Sequence, residues 1–236
     1  MLSQLKVKVF ADGADLAGIC TLAADPLIKG FTTNPTLMRQ AGVSDYERFA
    51  REVLEVVTDR PISFEVFSDD HDEMEQQARR IARWAPNVFV KIPVTNTKRV
   101  SSERSIRNLV TAGVQLNVTA IFTPAQIDWV ASALQDGPAS NMSVFAGRIA
   151  DAGQDPLPII AHAVAATVGQ RQTEVIWASP REVLNVVQAN DVGCHIITVT
   201  HDLLKKLPGL GKDLDQFSVE TVLMFHRDAT AAGYAL

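Results

Sequence analysis

The sequence predicts a (β/α)8 barrel with one extra helix at its C-terminal end, and three observations lead there. Short apolar runs alternate with longer amphipathic stretches along all 236 residues. Eight such runs recur at intervals of roughly 20 to 32 residues, which leaves room for a helix after each strand. Several are nearly continuous in Val, Ile and Phe, the pattern of strands buried on both faces of a parallel sheet. The length suits one barrel with few insertions, so residues 1–236 read as a single domain. A doubly wound open sheet shows the same alternation, but no G-x-G-x-x-G follows the first strand, which weighs against it.

The expected strands cover residues 7–11, 30–33, 62–67, 88–92, 115–120, 143–146, 174–178 and 195–199. Each is rich in the β-branched and aromatic residues that fit a pleated surface. The spacing predicts a helix over 70–84, where Met74, Ala78, Ile81 and Ala82 recur among charges. Thr123-Pro124 and Ser179-Pro180 each place a capping hydroxyl before a first-turn proline, which marks two helix starts. The tail over 217–234 forms a further helix with Val219, Val222, Leu223 and Phe225 as its apolar residues. It is surplus to the eight units, so it packs across one end or onto a neighbouring subunit.

Composition excludes several function classes. Against 22 Lys and Arg stand 27 Asp and Glu, a net charge of -5, so the basic footprint of a nucleic-acid binder is missing. No apolar run approaches the roughly 18 to 20 residues that a membrane span needs. The N-terminal residues lack the long apolar stretch of a signal peptide, and a cytoplasmic protein is expected. Cys20 and Cys194 are too few for a disulfide framework and read as buried thiols in a reducing compartment. His71 and His226 read as solvated and His162 as a core residue. His195 and His201 flank the last strand without metal-ligand spacing, so no metal is expected.

In a barrel of this kind chemistry sits at the C-terminal ends of the strands, so polar residues late in an apolar strand are the candidates. Lys91 stands among Val88, Phe89, Val90, Ile92, Pro93 and Val94, while the other seven lysines lie in charged or loop-like contexts. A lysine so placed either reaches solvent, meets a carboxylate, or loses hydration. The last leaves a neutral amine able to attack a carbonyl. Asp12 ends the first strand, where it is either an acid/base group or a turn residue before Gly13. Glu65 interrupts an apolar run in which glutamate is a poor strand former. Two carboxylates beside a lysine can divide acid/base work.

Thr32-Thr33-Asn34-Pro35 ends the second strand, where Asn34 by itself suits an Asx turn. Asn117 and Thr119 share one face of the fifth strand and suit a hydroxylated substrate or a water. Arg148 follows Ser143-Val144-Phe145-Ala146-Gly147, and Arg181 follows Ser179-Pro180. Two arginines, a serine and a helix N-terminus together suit a phosphate.

These residues in this order resemble the transaldolase family of class I aldolases, in its short, fructose-6-phosphate-aldolase-like form. The motifs that carry the likeness are Gly30-Phe31-Thr32-Thr33-Asn34-Pro35-Thr36, Val90-Lys91-Ile92-Pro93-Val94-Thr95, Leu116-Asn117-Val118-Thr119-Ala120-Ile121-Phe122 and Phe145-Ala146-Gly147-Arg148-Ile149. Ala178-Ser179-Pro180-Arg181 matches less closely. The resemblance runs over essentially the whole chain, from Phe10-Ala11-Asp12 to the last helix.

The resemblance implies a fourth-strand lysine, Lys91, that forms a Schiff base with a ketose phosphate such as fructose 6-phosphate or sedoheptulose 7-phosphate. A dihydroxyacetone unit then passes to an aldose phosphate, as in the pentose phosphate pathway. Asp12 takes the role of acid/base for the donor hydroxyl, and Glu65 with Thr119 holds a catalytic water. Asn34 and Asn117 become hydrogen-bonding partners of the dihydroxyacetone unit, and Thr32 a substrate contact. Ser143, Phe145, Arg148, Ser179 and Arg181 become substrate and phosphate contacts. No cofactor and no metal is implied.

A fructose-6-phosphate aldolase branch carries Gln in place of Glu65 and Tyr in place of Phe145, so at both positions this sequence sides with transaldolases. Release of free dihydroxyacetone by a lyase, or transfer onto an unusual sugar in a specialised route, are the alternative activities; a barrel that binds sugar phosphates without turnover is a third. Short members assemble as rings of identical subunits, pentamers or decamers, which makes a homo-oligomer the expected state. Gly13, where Thr or Ser is usual, and Pro180 before Arg181 depart from the family pattern.

Overall fold

A computed structural model describes residues 4–234. Its strands are β1 (Lys8–Asp12), β2 (Ile28–Thr32), β3 (Ile62–Glu65), β4 (Val88–Pro93), β5 (Leu116–Ile121), β6 (Ser140–Val144), β7 (Thr173–Trp177) and β8 (Ile196–Thr200). Each lies parallel to the next, and β8 returns to pair with β1, so the sheet closes and the open-sheet alternative falls away. Helices alternate with the strands around the outside.

Closure gives every strand two buried faces with different chemistry. The outward faces contribute Val9, Ala11, Phe31, Ile62, Phe64, Val90, Ile92, Leu116, Val118, Met142, Val144, Val175, Trp177, Ile197 and Val199 to one continuous apolar layer beneath the helices. The inward faces carry a small separate cluster of Phe10, Ile176, Ala178 and Ile196, against which Phe145 packs. Phe10 fills this space so tightly that a Cβ on Gly30 would lie 2.5 Å from its ring, so only glycine fits there. Two residues further along β1, on the same face, stands Asp12. The strand pattern thus sets an apolar plug below and a polar floor above it.

Local signals explain the helices. Asp70 accepts hydrogen bonds from the backbone N–H groups of Asp72 and Glu73, and starts the helix His71–Ile81. Acidic Asp72 and Glu73 in its first turn, with Arg79 and Arg80 in its last, complement the helix dipole. Met74, Ala78 and Ile81 are its buried face. The expected helix over 70–84 is therefore present in a shorter form. Thr123 caps the helix Pro124–Leu134 through a capping box with Gln126, as the Thr-Pro pair predicts.

Four expectations are corrected. β6 begins at Ser140, three residues before the expected start, because Ser140 and Asn141 pair in register with β5 and β7 and so extend the ladder through polar letters. Ser179-Pro180 starts no helix. Ser179 has a left-handed backbone (φ 63°), and the next helix is Leu184–Asp191, with Asn185 accepting from the N–H groups of Arg181 and Glu182. Cys20 is exposed and only Cys194 is buried. His162 sits at the surface, its Nε2 2.6 Å from Asp128 Oδ1, so it is no core residue.

The last helix spans Leu214–Ala232, capped by Asp213 and closed by Gly233 in the left-handed conformation (φ 68°). None of its residues is buried, and Phe217, Val219, Val222, Leu223 and Phe225 are all exposed. No helix among the described residues is long and apolar enough to cross a membrane.

Candidate active site

Strand register brings the expected residues to one level. Glu65 on β3 lies opposite Lys91 on β4, and Lys91 lies opposite Asn117 on β5. Asp12 on β1 lies between Thr32 on β2 and Thr200 on β8. Parallel strands without stagger at these points put inward residues of adjacent strands side by side.

Lys91 is buried, and its Nζ donates to the Thr33 carbonyl at 2.8 Å while lying 3.2 Å from Glu65 Oε2. The apolar letters around it therefore describe its backbone and the outward face of β4. The amine itself meets polar groups inside the barrel. Of the three sequence readings, contact with a carboxylate is what the structure displays. At 8% and 18% exposure the two side chains are shielded from water, so their attraction exceeds that of a surface pair. Nucleophilic use of the amine requires its proton to leave, and Glu65 is the adjacent acceptor.

Tyr46 anchors Glu65 from behind. Its hydroxyl donates to the Glu65 carbonyl at 2.7 Å, and its ring packs edge-on against Phe64 and Phe67. Burial pushes the Tyr46 phenol well above its ordinary range, so it remains a hydrogen-bond donor.

Asp12 accepts a hydrogen bond from Thr32 Oγ1 at 2.7 Å, and Thr32 Oγ1 also pairs with Thr198 Oγ1. Burial raises the Asp12 carboxyl above the usual carboxylate range. The positive charge of Lys91 and the Thr32 hydrogen bond oppose that rise, and Glu65 adds to it. A carboxyl whose ionisation is discouraged by burial and favoured by a neighbouring cation suits proton exchange with a substrate.

On the other side of the barrel Asn117 Nδ2 donates to Ser63 Oγ at 3.0 Å, and its Oδ1 accepts from Ser143 Oγ at 2.7 Å. Both ends of the amide are thereby fixed, which settles its orientation. Thr119 is buried, and its Oγ1 has no partner among the described residues. Just after it β5 breaks register with β6, and Ala120 takes a left-handed backbone (φ 60°). A bulge beside an active site re-aims a side chain. A buried hydroxyl without a partner costs energy unless a water or ligand completes it.

The remaining expected residues are less uniform. Asn34 caps the helix Pro35–Gln40, its Oδ1 accepting from the Leu37 N–H at 3.0 Å, so half of its side chain is committed to structure. Phe145 is half-buried and packs against Phe122, with the Arg148 guanidinium 5.7 Å from its ring centre. Arg148 is exposed and joins no ion pair among the described residues. Arg181, by contrast, is clamped by Asp151, with Nε 2.9 Å from Oδ1. Asp151 is held below the usual carboxylate range by that hydrogen bond. The two arginines are therefore inequivalent, and Arg148 is the one available to an anion.

Sequence reasoning missed Ser63, Thr198 and Tyr46. Ser63 and Thr198 carry a readable signal, since each alternates with an inward residue of its own strand (Glu65, and Ile196 with Thr200). Tyr46 lies outside the strands and leaves no such trace.

The chain is similar to several known proteins. The family described as Transaldolase/Fructose-6-phosphate aldolase matches residues 9–234. A probable transaldolase of Rhodospirillum centenum is 36% identical over 218 residues, covering 89% of each chain. Probable transaldolase 2 of Listeria monocytogenes is 35% identical over 203 residues, 85% of this chain and 88% of that one. The solved structure of KGPDC from Streptococcus mutans superposes with a TM-score of 0.59 at 11% identity, over 84% of this chain and 89% of that one, a likeness of fold alone.

Proposed function

We propose that the chain, which belongs to the transaldolase/fructose-6-phosphate aldolase family of enzymes, is a transaldolase that moves a dihydroxyacetone unit from a ketose phosphate to an aldose phosphate. One observation carries this reading: the buried Lys91 amine, in contact with Glu65 at the inner wall of the barrel.

The neutral Lys91 amine attacks the ketose carbonyl at C2, water leaves, and a protonated imine forms. Glu65 takes and returns the protons of this step through a water held with Thr119, whose Oγ1 lacks a protein partner. Asp12 removes the proton of the C4 hydroxyl. The C3–C4 bond breaks, its electron pair is drawn toward the iminium, and an aldose phosphate departs. The enamine left on Lys91 attacks the carbonyl carbon of the acceptor aldehyde, and Asp12 delivers its proton to the new alkoxide. Water then hydrolyses the imine and frees the amine. Asn117, fixed at both ends, presents a hydrogen bond to the three-carbon unit. Arg148 supplies the free guanidinium for phosphate.

The exposed apolar residues of Leu214–Ala232 support a homo-oligomer, in which this helix lies on a neighbouring copy and forms a ring of subunits. Free thiols at Cys20 and Cys194 support a cytoplasmic enzyme.

Borohydride reduction with fructose 6-phosphate tests the reading: a covalent three-carbon or hexose phosphate adduct on Lys91 is expected by mass spectrometry. An absence of any adduct, with a panel of ketose phosphates, overturns it. Sustained turnover without an acceptor aldehyde would instead identify a lyase that releases dihydroxyacetone.

A further inference from the structure

The inner face of β8 carries Ile196, Thr198 and Thr200, while Ile197 and Val199 point outward into the apolar layer. Thr198 is buried and lies opposite Phe10 of β1, at the edge of the apolar plug that Phe10 and Ile196 help to form. Valine would fill that place with nearly the same shape and no hydroxyl to satisfy. Thr198 Oγ1 has one hydrogen-bond partner among the described residues, Thr32 Oγ1 on β2. Thr32 Oγ1 has one further partner, Asp12 Oδ1 at 2.7 Å. β1 lies between β2 and β8, and Ala11 points outward between Phe10 and Asp12, which leaves room for the two hydroxyls to meet across the strand.

Each hydroxyl carries one proton, and a carboxylate only accepts. The Thr32 proton therefore goes to Asp12, and the Thr32 oxygen is left to accept from Thr198. The chain runs one way, from Thr198 to Thr32 to Asp12, and ends on the carboxyl assigned to the donor hydroxyl. A hydroxyl that accepts a hydrogen bond becomes a stronger donor, and a donor holds an ionised carboxylate more firmly than a neutral one. Asp12 is half-buried, and its Oδ2 accepts no hydrogen bond among the described residues.

We propose that Thr198 is a positioning residue for Asp12: by donating to Thr32 it commits the Thr32 proton to Asp12 Oδ1 and leaves Oδ2 to take the proton of the substrate. The inference rests on the transaldolase reading for the identity of that proton, and on the hydrogen bonds for the chain. The same preference for the ionised carboxylate helps return the proton, because Asp12, once neutral, gives it up to the alkoxide formed on the acceptor. The charged or titratable groups acting on Asp12 are Lys91 from β4 and His201 from the helix His201–Leu204, which favour its ionisation, and Glu65 from β3, which opposes it. Asp202 and Lys205 beside that helix pair with each other, and Asp15 caps the helix Leu16–Ala23. Lys91, His201 and Glu65 make no hydrogen bond to Thr32 or Thr198 among the described residues, so a change at Thr198 leaves them in place.

The test uses the full chain with Thr198→Val, which keeps the shape and removes the hydroxyl, and Thr198→Ser, which keeps the hydroxyl. Carbon-13 NMR of labelled aspartate follows Asp12 without turnover, its signal assigned by its loss in Asp12→Asn. In Thr198→Val, Asp12 is expected to ionise at higher pH than in wild type. The acid limb of kcat/KM moves up with it, a loss of about threefold at the acidic end that closes toward alkaline pH. In Thr198→Ser both return to wild-type behaviour. A hydroxyl that served packing alone would move the thermal midpoint and neither of these readouts. An unmoved Asp12 titration in folded Thr198→Val protein, or a serine variant that behaves like the valine one, overturns the proposal. Failure of wild type to form an imine would defeat the transaldolase reading instead, and the Asp12 titration would still decide the chain from Thr198.

Discussion

Lys91 and Glu65 occupy paired positions on neighbouring strands, and their side chains meet at 3.2 Å inside the barrel. The pair ties stability to chemistry. Removing the amine strands a largely buried carboxylate, and removing the carboxylate leaves a cation held by one carbonyl. Lys91→Met is therefore expected to abolish the borohydride adduct and to cost about 3–5 kcal/mol in urea unfolding. The double variant Lys91→Met with Glu65→Gln should recover part of that loss. A double variant no more stable than the single one would mean that the two charges do not couple.

Thr119 predicts a separation of the opposite kind. Its hydroxyl has no protein partner to lose, and valine has nearly its shape. Thr119→Val should change stability by under about 1 kcal/mol, yet slow transfer about 10- to 100-fold if the hydroxyl holds the water used for proton transfer. A transfer rate equal to wild type would remove Thr119 from the mechanism.

Glu65→Gln should shift the balance from transfer toward net aldol cleavage, because the amide cannot exchange a proton with that water. The ratio of acceptor-dependent to acceptor-independent turnover measures it. An unchanged ratio would leave Glu65 as a structural counter-ion only.

Asp12 makes a prediction with a definite sign. Burial raises its carboxyl in the folded state above the unfolded value of 3.8. The folded protein therefore binds this proton more tightly, and the stability it contributes is complete below about pH 3.8 and lost as pH rises through the folded value. Asp12→Asn should accordingly abolish cleavage but raise the urea midpoint at pH 7, with the gap closing on acidification. A variant that is less stable than wild type at pH 7 would contradict the desolvation argument.

The two arginines should part company. Arg148→Met is expected to raise KM for a phosphorylated donor by about 10- to 100-fold, with little change for an unphosphorylated one. Arg181→Met should leave that KM near wild type, since its guanidinium is already occupied by Asp151. Equal effects would restore the sequence expectation of a two-arginine phosphate site.

Much of the barrel and its site is legible in the letters for a simple reason. Burial on both faces leaves a strand no way to hide a polar residue, so Lys91, Glu65 and Asn117 stand out, and alternation with neighbouring strands assigns them to one level. The same logic fails where burial is polar. Ser140-Asn141 reads as loop but is the start of β6, because its partners are hydrogen bonds from other strands. Ser179-Pro180 reads as a helix start, yet Ser179 turns left-handed and the Asn185 side chain takes the N–H groups of Arg181 and Glu182 ahead of the helix that begins at Leu184.

The plug of Phe10, Ile176 and Ile196 has a kinetic corollary. With those side chains sealing the tube below the reacting amine, molecules have a single doorway, at the strand C-termini. The departing aldose and the incoming one must share it in turn. Initial-rate plots at varied fixed acceptor should then give parallel lines in double-reciprocal form, the signature of an exchange in which the first product leaves before the second reactant arrives.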